Sequence, residues 1–284
     1  MVIADPGSTG NRVQGNFIGT DAAGTSAVPN LVGVELDDAA GPNLIGGATA
    51  AARNVISGNA GPGVFLDGAG TTGNTVQGNF IGVAADGTTP LGNAAQGVFI
   101  TNEAVSNTVG GAEPKAGNVI ADNSGDGVLI GSTARHRPAG AGNSVLGNAI
   151  FDNGGAGIDL GPDDGVTPND PGDADAGPND LQNFPVLASA VLGGGRLVVR
   201  GTLDSSDAAE FRIEFFASPA ADPTGDGEGR RFLGAVTVSR TLAGINFTAS
   251  LAAAGVLPGE AVTVTATDLA TGDTSEFSAA VATT

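Results

Sequence analysis

The feature that most restricts what this chain can fold into is an internal repeat. GNRVQGNFIG at 10–19 returns as GNTVQGNFIG at 73–82, and RNVISGN at 53–59 returns as GNVIADN at 117–123, a long period of 63 to 64 residues. Within it the pattern Asn-x-Val/Ile begins at Asn11, Asn43, Asn74, Asn107 and Asn143, with spacings of 32, 31, 33 and 36 residues. Each long period therefore holds two similar units, and five units follow one another.

The last unit, residues 143–160, shows the design most compactly: three strands of two to four residues, with Val, Ile or Leu at alternate positions, separated by Asn or Gly. Strands this short cannot build a sandwich from hairpins, because the Asn and Gly recur at fixed offsets instead of closing two-residue turns. Stacking the units as coils gives every strand a parallel neighbour above and below at about 4.8 Å. Three inward columns then become continuous: Val13, Ile45, Val76, Val109, Val145; Ile18, Ile56, Ile81, Ile120, Ile150; and Val34, Val64, Val98, Val128, Ile158. Asn suits the corners, since it tolerates positive φ and its amide can bond the identical amide one coil away.

The motifs GNFIG with its following loop (TDAAGT at 20–25, AADGTT at 84–89), NVISGN at 54–59, GVFLDG at 63–68 and GIDLG at 157–161 occur in order. In these the chain resembles the right-handed parallel β-helix repeat proteins of bacterial secreted and surface chains, a group related in fold to pectate lyases. The resemblance implies an extracellular or cell-surface setting and no single activity, because this fold carries lyases, hydrolases, tailspikes, adhesins and inert stalks. Residues 2–11 align with 64–74 with one residue deleted, so the chain is expected to begin mid-coil, as a fragment of a longer repeat protein.

Measured against the compact fifth coil, coils one and three carry inserts at 20–29 and 83–91, and coils two and four at 47–53 and 111–117. They flank an outward column, Phe17, Val55, Phe80, Val119 and Ala149, that is apolar for a solvent face, and are expected to fold over it. A second outward column is Glu35, Phe65, Phe99, Leu129, Asp159. Phe65 and Phe99 sit one coil apart, either under a loop or as a stacking surface for a glycan or surface-protein partner.

Nineteen of the twenty Asn lie at or before Asn183, so the architecture changes there. Residues 1–162 are expected to form the five-coil right-handed β-helix, 163–183 an acidic Pro/Gly-rich junction, and 184–284 a second domain. In the junction Asp170, Asp173 and Asp175, with Asn179 and Asp180, offer hard oxygen ligands on a tight turn, suited to Ca²⁺. A solvated acidic linker is the competing reading. Beyond it, alternating strands at 185–192, 196–203, 210–217, 232–239, 245–251, 261–267 and 275–281 fit a seven-stranded β-sandwich. VTVTATDLATGDTSEFS at 262–278 resembles the last hairpin of bacterial immunoglobulin-like domains. Arg230 and Arg231 are expected to pair locally with Asp222, Asp226 and Glu228.

Composition bears on function mainly by exclusion. With Lys+Arg 11 against Asp+Glu 30 and a net charge of −19, the chain is unsuited to phosphate backbones, which excludes nucleic acid as a partner. It has no Cys for thiol or Cys-metal chemistry, and no apolar run of the roughly 18 residues a membrane helix needs. A catalytic triad needs His, and the single one, His136, lies in an insert between Arg135 and Arg137. A polysaccharide lyase or glycoside hydrolase would draw on Asp159, Asp163, Asp164, Arg135 and His136, though the pectate-lyase pattern is not met. The leading expectation is a non-catalytic structural or adhesion module. Self-association by strand addition at the N-terminal coil edge is a third.

Overall fold

A strand of two or three residues satisfies its backbone only if other strands flank it on both sides, and the repeat supplies them. In the computed structural model, which describes residues 1–161, 165–205, 210–223, 227–241, 244–253 and 255–284, the first part of the chain is a five-turn parallel β-solenoid. Its first sheet stacks Val2–Ile3, Val34–Leu36, Val64–Leu66, Val98–Ile100, Val128–Ile130 and Ile158–Asp159. The second stacks Arg12–Val13, Leu44–Gly46, Thr75–Gln77, Thr108–Gly110 and Ser144–Leu146. The third stacks Phe17–Ile18, Val55–Ile56, Phe80–Ile81, Val119–Ala121 and Ala149–Phe151.

The three inward columns are in register rung by rung, as with Val64, Val98 and Val128 or Ile56, Ile81 and Ile120. They form one core cluster. Close approach of the coils fixes the corners too. A Cβ on Gly82, at φ +90°, would lie 1.9 Å from the Ala121 carbonyl oxygen of the next coil.

Three Asn ladders run along the corners. In the first, the backbone N–H and Nδ2 of each Asn donate to Oδ1 of the Asn one coil on, through Asn11, Asn43, Asn74, Asn107 and Asn143. The second runs through Asn16, Asn54, Asn79, Asn118 and Asn148. The third runs through Asn30, Asn59, Asn93, Asn123 and Asn153. A buried Asn such as Asn107 also donates to the carbonyls of Thr71 and Val105, so its whole amide is used.

The inserts fold over the outward Phe column as expected. The loops at 20–27 and 83–90 each close by an antiparallel bridge. Gly87 lies so close over Phe80 that a Cβ there would sit 2.5 Å from the ring. Arg53 covers the same ring, its guanidinium carbon 4.1 Å from the centroid. Asp86 holds its loop by accepting from the Thr89 hydroxyl and the Thr88 and Thr89 N–H groups, which bring its carboxyl down to about 2. Phe17 remains 47% exposed.

The second part is a seven-strand antiparallel β-sandwich. One sheet holds Val186–Gly193, Arg196–Leu203 and Ile245–Ala252; the other holds Arg231–Ser239, Glu210–Ser218, Ala261–Asp268 and Val281–Ala282, in those orders. Phe211, Ile213, Phe215, Phe247, Val262 and Val264 fill the space between them. The seventh expected strand, 275–281, is shortened to Val281–Ala282, because the segment before it turns its side chains toward the solenoid.

Asn107→Ala is expected to lower unfolding free energy by about 2–4 kcal/mol, since it leaves the buried Asn74 N–H without its acceptor. Asn30→Ala, at an exposed end of its ladder, is expected to stay within about 1 kcal/mol. Urea denaturation followed by circular dichroism compares the two.

Candidate functional site

The junction brings Asp170, Asp173 and Asp175 together: one carboxylate oxygen from each lies within 4.8 Å of the others, an acidic cluster capable of coordinating a divalent cation. The loop around it is folded. Asp173, 9% exposed, accepts from Gln182 Nε2 (2.6 Å), Ser205 Oγ (2.7 Å) and the Asn183 N–H (2.7 Å). Burial raises its pKa against these three donors, and burial then Asp170 raise that of Asp175. Asp173 is thus held by the fold, while Asp175 and its neighbours Ala174 and Ala176 are exposed.

Asn179 and Asp180 stand apart from this cluster. Asn179 is fully buried; its Oδ1 accepts from the Asn143 N–H at 2.9 Å, and its Nδ2 donates to the carbonyls of Asn143 and Thr274. It is the terminal rung of the first Asn ladder, and its amide is engaged with the last coil and with Thr274. Asp180 follows it in a left-handed turn at the surface, at φ 49°.

Phe65 and Phe99 are stacked one rung apart with centroids 5.2 Å from each other, yet they are not an open face. The two rings are 9% and 3% exposed and pack with Leu129 beneath His136, whose ring meets both edge-on at 5.6 and 5.3 Å. A loop therefore occupies the place expected for a glycan. His136 Nδ1 is 2.8 Å from Thr133 Oγ1, Arg135 is exposed, and Arg137 pairs with Glu103. Asp159 lies two rungs beyond Phe99 on the same column, roughly 10 Å along the axis, and is 2% exposed with its Oδ1 on the Gly161 N–H. The structure does not gather Asp159, Arg135 and His136 into one site; Asp163 and Asp164 lie outside the described residues.

The densest polar chemistry is at the seam between the last coil and the sandwich. A solenoid end presents backbone N–H groups with no further coil to accept them. Here sandwich side chains accept them. Glu228 takes the Asp152 N–H on Oε2 (2.7 Å) and the Asn153 N–H on Oε1 (3.1 Å), ending the third Asn ladder on a carboxylate. Glu214 takes the Gly147 N–H at 2.7 Å, Glu276 takes those of Leu160 and Thr167, and Thr274 Oγ1 that of Val145. Asp273 takes the Gly142 N–H. Ile150 and Gly229 form an antiparallel bridge, and Phe216 and Phe277 join the solenoid core cluster, meeting edge-on at 5.2 Å.

Burial raises the pKa of Glu214 against its bonds to Gly147 and Arg212. It pushes Glu228 up to about 7 against the two N–H donors, with Asp222 and Asp152 adding repulsion. Arg230, expected to pair within its own loop, reaches across the seam to Asp152 at 2.8 Å and lies over Phe151; Arg231 pairs with Glu260, while Asp226 lies outside the described residues. Clefts of about 300 and 230 Å³ border Glu228, both including Asp222. The only sequence signal for this seam was the alternation of acids with a phenylalanine in Asp273-Thr-Ser-Glu276-Phe277, in a segment read as an ordinary strand.

The fold and seam define a parallel β-solenoid with a sandwich end cap. Comparison with protein-family models, with curated proteins and with solved structures finds no match for this chain.

Phe277→Ala is expected to cost about 3–5 kcal/mol. Hydrogen exchange should show protection lost in the last coil as well as in the sandwich, since the ring is shared; a loss confined to the sandwich would contradict a common core.

Proposed function

We propose that the chain is a non-catalytic structural or adhesion module of an extracellular or cell-surface protein, a right-handed solenoid stalk closed at one end by an immunoglobulin-like cap. The observation that carries this reading is the continuity of the core across the seam, with Phe216 and Phe277 in the same buried cluster as Val145, Ile150 and Ile158. Together with ladders running the length of the rod, it gives a body suited to transmitting force and holding a fixed geometry. The cap also weighs against head-to-tail filaments, because the last coil's donors are already engaged. Polysaccharide cleavage is the second reading, favoured by the Glu228 cleft, where a carboxyl of raised pKa lies near Asp152 and Asp222. A panel of neutral and acidic glycans is expected to yield neither reducing ends nor unsaturated uronates. Turnover that disappears in Asp159→Ala or Glu228→Gln would replace the structural reading.

The Asp170, Asp173 and Asp175 cluster is read as a Ca²⁺ site bracing the junction. Binding to the folded form alone adds about 2.7 kcal/mol at ~100 Kd, so the melting temperature should rise with Ca²⁺ and fall with chelator. Asp175→Asn is the informative variant, since Asp173 anchors Gln182, Asn183 and Ser205 whether or not an ion binds. A Ca²⁺-dependent rise that persists in Asp175→Asn, or no rise at all, removes the site.

A further inference from the structure

Coil one is nearly a copy of coil three, and coil three shows what covers such a coil. GNRVQGNFIG at 10–19 and GNTVQGNFIG at 73–82 differ only at Arg12 and Thr75. Val2 pairs with Glu35, Glu35 with Phe65 and Val64 with Val98, so coil one spans 1–33, coil two 34–63 and coil three 64–97. From Met1 to Asn30 the two odd coils run in step at 63 residues, and the observed register needs no deletion between them. In coil three, Asn74, Asn79 and Asn93 accept on Oδ1 the N–H and Nδ2 of Asn43, Asn54 and Asn59 of coil two. Arg53 of coil two lies over the Phe80 ring and donates from Nε to the Gly78 carbonyl. The counterparts in coil one are Asn11, Asn16, Asn30, Phe17 and Gly15. Those three Asn head the ladders: they donate to coil two, and among the described residues their Oδ1 atoms receive no hydrogen bond. Phe17 and Val28 are 47% and 58% exposed, whereas their counterparts Phe80 and Leu91 are half-buried.

We propose that the face of coil one turned away from coil two is a docking surface for a parallel β-solenoid segment that ends on a coil of the coil-two type. Such a coil brings three corner Asn donors to Asn11, Asn16 and Asn30, and a guanidinium to the exposed ring of Phe17. A coil of the coil-one type is excluded by its own loop. The loops at 20–27 and 83–90 already touch with the whole of coil two between them, the Ala85 N–H donating to the Gly24 carbonyl at 2.9 Å. Two such loops on adjacent coils, about 4.8 Å apart, would overlap. A second copy of this chain does not supply the partner, because its coils two and four each lie between two other coils and its fifth meets the sandwich. The surface lies at the far end of the solenoid from the seam and does not depend on any chemistry there.

Two extended chains of nearly equal length test the fit, the added coils being joined in cis so that docking does not depend on concentration. A copy of residues 1–63 placed ahead of Met1 ends on a coil of the coil-two type; a copy of 34–97 ends on one of the coil-one type. The reporters are the backbone N–H groups of Arg12 and Phe17, the counterparts of Thr75 and Phe80, whose N–H groups donate to the Asn43 and Asn54 carbonyls at 2.9 Å. Amide hydrogen exchange at Arg12 and Phe17 is expected to slow by about tenfold or more with the first extension, and to stay within about twofold of the parent chain with the second. Asn54→Ala in the added copy alone is expected to lose most of the slowing at Phe17. No slowing with the first extension, whether or not its added coils fold, equal slowing with the second, or slowing untouched by Asn54→Ala would overturn the proposal.

Discussion

A parallel coil cannot satisfy its own backbone. Every N–H and C=O along its strands must find a partner one coil away, so the solenoid depends on stacking in register and on what happens at its ends. The Asn ladders express the same requirement at the corners. There the chain leaves the strand, and the side chain supplies the acceptor that the next coil's backbone does not. Because each Asn donates its N–H and Nδ2 toward the C-terminal side and accepts on Oδ1 from the other, the ladders have a direction. A directional ladder must end on an acceptor: Asn179 of the junction for the first, the Glu228 carboxylate of the sandwich for the third.

This explains why the cap is rich in buried acids. A carboxylate is an acceptor on both oxygens, so a single Glu can close two donors, as Glu228 does for Asp152 and Asn153 of the last coil and Glu276 for Leu160 of that coil and Thr167 of the junction. An amide would waste its NH₂ against a surface that also donates. The cost is desolvation, visible in the raised pKa values of Glu214 and Glu228. For Glu214 the Arg212 guanidinium, at 2.8 Å, compensates part of that cost. Much of the chain's acidity is solvated surface, but at the seam it meets a structural demand.

The solenoid was legible in the sequence because its information is local and repeated. A column such as Val13, Ile45, Val76, Val109, Val145 is written five times at spacings of 32, 31, 33 and 36 residues, and a one-residue slip would turn it outward. The sandwich strands were legible for a related reason, since their burial alternates with period two, as in Ile245–Ala252. The seam was not. Glu214, Glu228 and Glu276 lie 67, 76 and 116 residues from Gly147, Asp152 and Leu160, and nothing near any of them in sequence marks the partner. The role of Asn179 in the ladder was hidden for the same reason: its acidic neighbours suggest a cation, and nothing near it in sequence points to Asn143, 36 residues earlier. The Phe65 and Phe99 pair was legible as a column, but its covering by His136 depended on the path of an insert with no repeat to fix it.

The seam also changes what the two parts of the chain are to each other. A sandwich with its own core of Phe211, Phe215 and Phe247 reads as an independent unit, and the solenoid reads as another. Yet Phe277, fully buried, belongs to the solenoid core while its segment still bonds the sandwich through the N–H groups of Ser275 and Ser278. Removing the sandwich would leave the last coil's N–H groups open and its end exposed to water. Removing the solenoid would leave Phe216, Phe277 and three glutamates arranged for an absent surface. Stability at the seam is therefore a joint property, and a change in the charge of a single acceptor there acts on both parts at once.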